Sequence, residues 1–441
     1  MSGIAVGGIL FAVMLALMVV RVPIGIAMFM CGAGGYLYLT GNAAALLNSL
    51  KNLAYARLSN YDLVVIPLFL LMGQFATHGG LSRSLFRFVS AFLGHRKGGI
   101  AMASIGACAG FGAICGSSLA TAATMGQVAL PELKRYGYSG SLATGALAAG
   151  GTLGIMIPPS VPLVIYAILT QESIGKLVMA AVIPGIIAML GYMLVVRIIV
   201  AWRPEAGPAG PAVPWPEKVK SLVEVLPVLL VFVVVIVGIY GGWANPTEAA
   251  AIGAAACGVL ALVGGMRVKG LVDSAAGTAQ ATAMIFLVLL GADMLNTALA
   301  LSQMPGELAD WVKASGLSPL LVMVMILVIY ILLGCVMDAL AMILLTIPIF
   351  YPMIMGLDYW GMSQEDKSIW FGILALMVVE IGLVHPPVGM NVYIINRLAK
   401  DVPLTETFKG VVPFLVSDAV RIALLVYFPI ISLYLVHTFK R

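Results

Sequence analysis

The residues best suited to chemistry lie where glycine, proline and short polar side chains interrupt long apolar stretches. Two interruptions contain Gly112, Gly116, Ser117 and Ser118 in the first and Gly334 and Asp338 in the second. A helix that begins at such a point directs its first amides, with their partial positive charge, into the interruption. Serine and aspartate favour the N-cap position of such helices. We therefore predict anion-binding helix N-termini at Ser117, Ser118 and Asp338.

These polar residues have two open interpretations each. Plain helix capping and contact with a substrate remain alternatives for Ser117 and Ser118. Asp338 differs because it follows a long apolar stretch; if that stretch lies in a membrane, a carboxylate there is costly and is a functional candidate by default. We expect Asp338 to be a cation ligand or an acceptor for a substrate hydroxyl, and a cap alone is the alternative.

Two Pro-Pro pairs, Pro158-Pro159 and Pro386-Pro387, stand inside other apolar stretches. Proline lacks an amide donor, so carbonyl groups in the preceding turn lose their helical partners. The carbonyls expected to be free belong to Thr152, Leu153, Gly154, Ile381, Gly382 and Leu383. Free carbonyls at helix C-termini suit a hard cation such as Na⁺. Simple helix kinks are the alternative.

The combined pattern predicts Na⁺ as the bound ion, beside the substrate. Its expected neighbourhood comprises Gly112, Gly116, Thr152, Gly154, Pro158, Gly334, Asp338, Gly382 and Pro386. Ser160 and Asn391 follow the Pro-Pro pairs and are predicted to face the same cavity as substrate ligands.

Other polar residues fit structural roles better. Asn245 and Glu248 have the spacing of a capping box. Asp418 and Arg421, three residues apart, are expected to pair with each other. His385 is interpreted as a hydrogen-bonded structural residue, while Asp293 and Glu380 are expected to be paired or near the end of a span. The five cysteines lie in apolar or glycine-rich surroundings and are interpreted as packed side chains.

Composition places these residues in a membrane. The chain has 441 residues, of which 61% are hydrophobic and 10% are charged, with a net charge of +5, and its mean hydropathy is +1.07. Soluble domains carry about 25% charged residues. A soluble enzyme, a nucleic-acid-binding protein and a disordered chain are therefore excluded. The sequence has no Walker A motif, H-E-x-x-H or G-x-S-x-G, so no enzyme and no organic cofactor is expected.

An all-α polytopic fold follows from the apolar segments, since a spanning helix needs roughly 20 apolar residues. About ten spans are predicted, at residues 4–20, 22–40, 62–78, 138–170, 176–197, 221–240, 247–265, 274–302, 368–397 and 411–436. The loops rich in lysine and arginine are assigned to the cytoplasm. This alternation places both termini outside.

Two further apolar stretches, 98–131 and 318–356, have flanks of similar charge at both ends. Each leg of these stretches is too short for a hydrocarbon core of about 30 Å. They are predicted to be re-entrant helical hairpins, and pairs of glycine-kinked spans are the alternative.

The two halves of the chain resemble each other. Gly154–Pro159 matches Gly382–Pro387, and Ser117 precedes Pro131 by the interval that separates Asp338 from Pro352. The predicted organisation is a first repeat at 1–202 with a broken helix at 138–170, a cytoplasmic linker at 203–220, and a second repeat at 221–441 with a broken helix at 368–397. Loop charges give the repeats opposite orientations. Such inverted-topology repeats are a recurrent plan of secondary transporters, with the site at the midplane.

The sequence resembles the large membrane subunit of tripartite ATP-independent periplasmic (TRAP) transporters over essentially its full length. The similarity is carried by Ile66-Pro67-Leu68-Phe69, Gly112 to Ser118, Gly154 to Ser160, Pro246-Thr247-Glu248-Ala249-Ala250-Ala251, and Gly382 to Pro387 with Gly389 and Asn391. The resemblance implies a Na⁺-driven, elevator-type importer in the bacterial inner membrane. It also implies a small four-helix membrane subunit and an extracytoplasmic substrate-binding protein as partners, and no nucleic acid. The implied substrates are organic acids such as C4-dicarboxylates, sialic acid or other carboxylates and sulfonates.

Three alternative functions remain at this level. A stand-alone Na⁺/carboxylate symporter of related architecture would need no binding protein. An ion channel would need a continuous polar pore lining, whereas this sequence has discrete interruptions. An intramembrane enzyme would need catalytic groups that the sequence does not supply.

Overall fold

The computed structural model describes residues 2–335 and 337–439, so Val336 in the second predicted hairpin and the last two residues of the second predicted repeat lie outside the described residues. The described chain is helical throughout, which confirms the predicted all-α class. The helices are α1 (Gly3–Val19), α2 (Ile24–Thr40), α3 (Ala43–Leu58), α4 (Val65–His78), α5 (Leu81–Leu93), α6 (Gly99–Cys115), α7 (Ser118–Arg135), α8 (Gly140–Met156), α9 (Val161–Thr170), α10 (Ile174–Trp202), α11 (Trp215–Tyr240), α12 (Pro246–Val263), α13 (Val268–Leu301), α14 (Met304–Ala314), α15 (Pro319–Gly334), α16 (Ala339–Met355), α17 (Gln364–Gly382), α18 (Met390–Leu398), α19 (Leu404–Tyr427) and α20 (Ile430–Thr438).

Seven helical segments of the described residues are long and apolar enough to cross a membrane. They are Tyr61–His78, Gly140–Thr170, Ile174–Trp202, Trp215–Ile239, Pro246–Val263, Val268–Leu301 and Leu404–Tyr427. Helices α1 and α2 are equally apolar, but each has only 17 residues. The polytopic character predicted from composition is therefore confirmed.

Two predicted boundaries were wrong. The single span expected at 411–436 is divided into α19 and α20, because Pro429 disfavours helical geometry at Phe428, whose φ and ψ are −125° and 71°. The linker expected at 203–220 ends earlier, because α11 already begins at Trp215. Pro216 lies in the first turn of α11, where a missing amide donor costs nothing.

The two halves of the chain pack in equivalent ways. Helix α2 lies along α13, and α12 lies along α4, so each half contributes one helix to a pair completed by the other half. In the same manner α1 contacts α14 and α11 contacts α5. Taking the helices of the described residues in order, α1, α2 and α4–α10 correspond to α11–α19, while α3 and α20 have no counterpart among them.

The short helices arrange themselves around two breaks. Helices α6 and α7 form hairpin 1, which packs on α8, and α15 and α16 form hairpin 2, which packs on α17. The breaks lie between α8 and α9 and between α17 and α18. Beyond each break the chain contacts the hairpin of the other half, because α9 packs on α16 and α18 packs on α7. Each break therefore lies between elements of both halves.

Glycine makes the contact between hairpin and broken helix possible. A Cβ built on Gly112 would lie 2.4 Å from the Cα of Gly154, and one built on Gly382 would lie 2.5 Å from the Cα of Gly334. No side chain fits at these distances, so the backbone of each hairpin touches the backbone of its broken helix. This contact brings the tip of each hairpin to the level of a break.

Candidate functional site

The tip of hairpin 1 begins at Gly116, which has a left-handed φ of 63°. Ser117 then caps α7, and its Oγ accepts a hydrogen bond from the amide of Ala120 at 3.4 Å. Ser118 is not the cap, because it is the first residue of α7. Its Oγ instead donates to Oε2 of Glu380 at 2.7 Å, so the Ser118 hydroxyl is already engaged.

The first break holds Pro158-Pro159 as a cis peptide. Ser160, buried, caps α9 by accepting from the amide of Leu163 at 3.5 Å. Because prolines occupy positions 158 and 159, the carbonyls of Gly154 and Ile155 have no donor four residues ahead. The Leu153 carbonyl does have one, since it accepts from the amide of Ile157 at 3.1 Å.

Thr121 is a candidate site residue that sequence reasoning missed. A Cβ built on Gly154 would lie 2.5 Å from Thr121 Oγ1 and 2.8 Å from the Ser117 carbonyl oxygen. Thr121 is buried, and among the described residues its hydroxyl has no hydrogen-bond partner. The signal was available, since Thr121 follows Ser117 by one helical turn and lies on the same face of α7.

The tip of hairpin 2 is capped by Asp338, which is half-buried. Its Oδ2 accepts from the amides of Leu340 at 3.2 Å and Ala341 at 3.4 Å. The capping interpretation is therefore observed, and the additional role of Asp338 as a ligand stays a prediction.

The second break holds Pro386-Pro387, also as a cis peptide. Its turn supplies new donors, because Ile381 accepts from the amide of Val384, Gly382 from that of His385, and Leu383 from that of Asn391. Helix α17 thus ends in a closed turn, and these three carbonyls are not free.

The prediction of free carbonyls was therefore wrong for Leu153, Ile381, Gly382 and Leu383. Each accepts a backbone hydrogen bond from a residue beyond the helix. A carbonyl oxygen has two lone pairs, so the second one is still available to a cation. The carbonyl oxygens of the predicted Na⁺ neighbourhood can therefore still act as ligands, although each of these four already accepts one hydrogen bond.

Two of the predicted site residues, Asn391 and Thr152, form hydrogen bonds with residues outside the breaks. Asn391 is fully buried, and its Nδ2 donates to the Ala148 carbonyl at 3.4 Å, across the boundary between the halves. Its Oδ1 has no partner among the described residues. The Thr152 hydroxyl bonds to the Ala149 carbonyl at 2.7 Å and to the hydroxyl of Tyr192 at 3.2 Å, so it is not free.

Several structural interpretations are confirmed. The capping box of Asn245 and Glu248 is present, Arg421 pairs with Asp418 at 2.6 Å, and Asp293 pairs with Arg57. Tyr192 also donates to the Asp418 carboxylate at 2.9 Å. The Nδ1 of His385 lies 2.6 Å from the Pro386 carbonyl. All five cysteines are free and buried.

The chemistry available at the two breaks is that of oxygen ligands. Among the residues that the structure describes, no group of three or more His, Cys, Asp or Glu side chains could hold a metal ion. Carbonyl, hydroxyl and amide oxygens with at most one carboxylate per break are suited to a hard ion of low charge. Two hairpin tips that meet two broken helices inside an apolar helical protein define a membrane transport protein.

The particular family follows from comparison with known proteins. Residues 11–431 match the family described as "Tripartite ATP-independent periplasmic transporter, DctM component". The chain belongs to this family of TRAP transporter large permeases, and it is a multi-pass protein of the bacterial inner membrane. The resemblance drawn from sequence motifs is thereby confirmed, and so is the expectation that the protein is not an enzyme.

Two relatives and one solved structure illustrate the similarity. The C4-dicarboxylate TRAP transporter large permease protein of Pseudomonas aeruginosa is 35% identical over 85% of this chain and 86% of its own length. The sialic acid TRAP transporter large permease protein of Vibrio cholerae is 30% identical over 96% of this chain and 97% of its own. The crystal structure of the Alcanivorax borkumensis YdaH transporter covers 88% of this chain and 89% of its own, with a TM-score of 0.63 at 15% identity, and so shares the fold.

Proposed function

We propose that this large permease imports small organic acid anions in symport with Na⁺. The observation that carries the proposal is the meeting of each hairpin tip with a broken helix; at hairpin 1 the buried Thr121 hydroxyl has no partner among the described residues. Such an arrangement provides ligands for a cation and positive helix N-termini for an anion at the same depth.

The first proposed Na⁺ position is the contact between Ser117, Thr121 and Gly154. The hydroxyl of Thr121 has no partner among the described residues, and Pro158 deprives the Gly154 carbonyl of its helical donor. The second proposed position is the contact between Gly334 and Gly382, beside Asp338. Both positions draw mainly on neutral oxygens, so a bound Na⁺ keeps most of its charge and attracts an anionic substrate nearby.

The proposed substrate position lies between the two tips. The N-terminal amides of α7 and α16 start at Ser117 and Asp338 and favour a carboxylate or sulfonate. Ser160 and Asn391 are the proposed polar contacts at the breaks. The relatives named for C4-dicarboxylates and sialic acid support a carboxylate as the substrate class.

The proposed motion is of the elevator type. Pairs α2–α13 and α4–α12 form a framework shared by both halves, while the hairpins and broken helices form a second body that carries the proposed site. The proposed partners are a small four-helix membrane subunit and an extracytoplasmic substrate-binding protein, as the family name of a tripartite transporter supports.

A reconstitution experiment tests the proposal. Proteoliposomes containing this chain with the small subunit and a loaded binding protein should accumulate the organic acid when Na⁺ is high outside, and replacing Na⁺ with K⁺ should abolish uptake. Equal uptake in K⁺ would contradict Na⁺ coupling. Strong uptake by this chain alone would favour the stand-alone symporter, and gradient-independent ion flux would favour a channel.

A further inference from the structure

Glu380 is a fully buried carboxylate that the proposed site does not use. It lies in the last turn of α17, two residues before Gly382, and none of its surface is exposed. Its Oε2 accepts from Ser118 at 2.7 Å, and its Oε1 has no partner among the described residues. This hydrogen bond joins the tip of hairpin 1 to the broken helix of the opposite half.

Two charged residues also lie near Glu380. Asp418 and Arg421 on α19 both interact with Glu380 electrostatically, and they pair with each other at 2.6 Å. Ser118 is the one direct hydrogen-bond donor to Glu380 within residues 2–335 and 337–439. In a buried site, an acceptor that loses its donor is costly, so the pair holds the two elements in register.

The equivalent contact is missing from the other half of the molecule. The matching of Ser117 with Asp338 makes Ala339 the counterpart of Ser118, and the matching of Gly154 with Gly382 makes Thr152 the counterpart of Glu380. Alanine has no side-chain donor, and the Thr152 hydroxyl bonds to Ala149 and Tyr192. Among the described residues, no equivalent side-chain hydrogen bond therefore joins the tip of hairpin 2 to α8 of the opposite half.

We propose that Ser118 and Glu380 are a positioning pair. Their hydrogen bond fixes the geometry of the first oxygen cluster, which is the contact between Ser117, Thr121 and Gly154 described above. Ser118 lies between Ser117 and Thr121 on the same first turn of α7. Fixing Ser118 against α17 therefore fixes both cluster residues relative to Gly154 before a cation arrives. The tip of hairpin 2 has no such link to the opposite half within the described residues, and its Cys335 Sγ instead donates to the Pro386 carbonyl of its own half at 3.3 Å. The choice of Na⁺ as the cation rests on the proposed function, whereas the positioning itself does not.

Hydrogen–deuterium exchange of the purified protein tests the positioning without any transport. Ser118→Ala and Glu380→Leu should each raise the exchange rate of the amides at 117–121, and the double variant should add nothing to the larger single effect. Glu380→Gln should keep the wild-type exchange rate, in contrast to Glu380→Leu, because the glutamine side-chain carbonyl accepts the same hydrogen bond. Thr346→Val is the matched control, since it removes a buried hydroxyl that bonds to Tyr330 at 2.7 Å within hairpin 2.

The second measurement is Na⁺ dependence of uptake by the complete reconstituted transporter. Ser118→Ala should raise the half-saturating Na⁺ concentration about fivefold, which corresponds to one hydrogen bond, and Glu380→Gln should stay close to wild type. Unchanged exchange in both single variants, additive effects in the double variant, or an equal effect of Thr346→Val would overturn the pair. Absence of Na⁺-dependent uptake in the wild type would instead overturn the proposed function, and the exchange data would still decide the pair.

Discussion

At the scale of single residues, the glycines between hairpin and broken helix leave no room for a larger side chain. Gly112→Ala would place a Cβ 2.4 Å from Gly154 Cα, so hairpin 1 would have to move away from α8. We expect a loss of about 1–3 kcal/mol in stability and a strong loss of uptake. Thermal unfolding in detergent and reconstituted uptake would measure both. Gly34→Ala in α2 is the control, because no described residue lies within 4 Å of its added Cβ. Equal effects of the two variants would refute the close-contact explanation.

Asp338 allows its capping role to be separated from its proposed ligand role. Asparagine caps helices about as well as aspartate, so Asp338→Asn should fold and insert normally while losing one negative charge. We expect slower uptake and a weaker dependence on Na⁺. A Na⁺ titration of uptake would measure this, with Asp338→Ala as the variant that loses both roles. Wild-type rate and Na⁺ dependence in Asp338→Asn would leave Asp338 as a cap only.

Sequence reasoning located residues whose role is local and missed those whose role depends on distant contacts. Ser117, Ser160 and Asp338 cap helices as their residue types predict, because capping involves only the next few residues. The partner of Glu380 is distant in the sequence, so no local pattern could identify Ser118. The carbonyls before Pro386 were misjudged for a related reason, since their donors come from the geometry of the turn beyond them.

At the scale of helices, the long apolar helices could be predicted from the sequence and the short charged ones could not. Both hairpins and both breaks fall where glycine, proline and leg length place them. Helices α3, α5 and α14 were not predicted, since they are short and carry charged residues such as Lys51, Arg87 and Asp310. In α5, Leu81, Leu85 and Phe86 are buried while Arg87 points outward, so an amphipathic pattern was present.

The end of hairpin 2 depends on a buried lysine. Lys367 is 4% exposed, and its Nζ donates to the carbonyls of Met355 at 3.1 Å and Leu357 at 3.0 Å, at and just beyond the C-terminus of α16. A positive charge there also interacts favourably with the helix dipole. We expect Lys367→Met to lower stability by about 1–3 kcal/mol, measured by thermal unfolding, with exposed Lys400→Met as the control. An unchanged melting temperature would show that water replaces the lysine.

At the scale of the whole molecule, the repeat predicts the side from which each hairpin enters. Basic flanks should place both ends of hairpin 1 in the cytoplasm, and acidic flanks should place both ends of hairpin 2 outside. Single cysteines at the exposed positions Arg96 and Arg135 should react with an impermeant maleimide only from the cytoplasm. Those at Asp310 and Gln364 should react only from outside. Opposite-side labelling within either pair would turn that hairpin into two ordinary spans and remove the inverted repeat.

The two equivalent breaks differ in exposure, which points to the side on which the structure is open. Pro158 and Pro159 are buried and so is most of α9, whereas Pro386 and Pro387 are exposed beside half-buried Asp338. Irregular backbone at membrane depth is tolerated where it borders protein or water, and we expect the exposed break to border a water-filled cavity. Helix α18 leads from this break toward Arg397 and Lys400, whose charges mark the cytoplasm. The described conformation is therefore expected to be open to the cytoplasm.

Cysteine accessibility tests this orientation with a matched pair. Tyr393 is 40% exposed, and its counterpart Ile165, at the same distance beyond the other Pro-Pro pair, is fully buried. In the absence of Na⁺ and substrate, Tyr393→Cys should react with an impermeant maleimide from the cytoplasmic side, while Ile165→Cys should stay unreactive from either side. The five native cysteines are buried, so their background should be low. Labelling of Ile165→Cys from outside, together with protection of Tyr393→Cys, would mean that the resting transporter opens outward. The break at Pro386-Pro387 would then not be open to the cytoplasm.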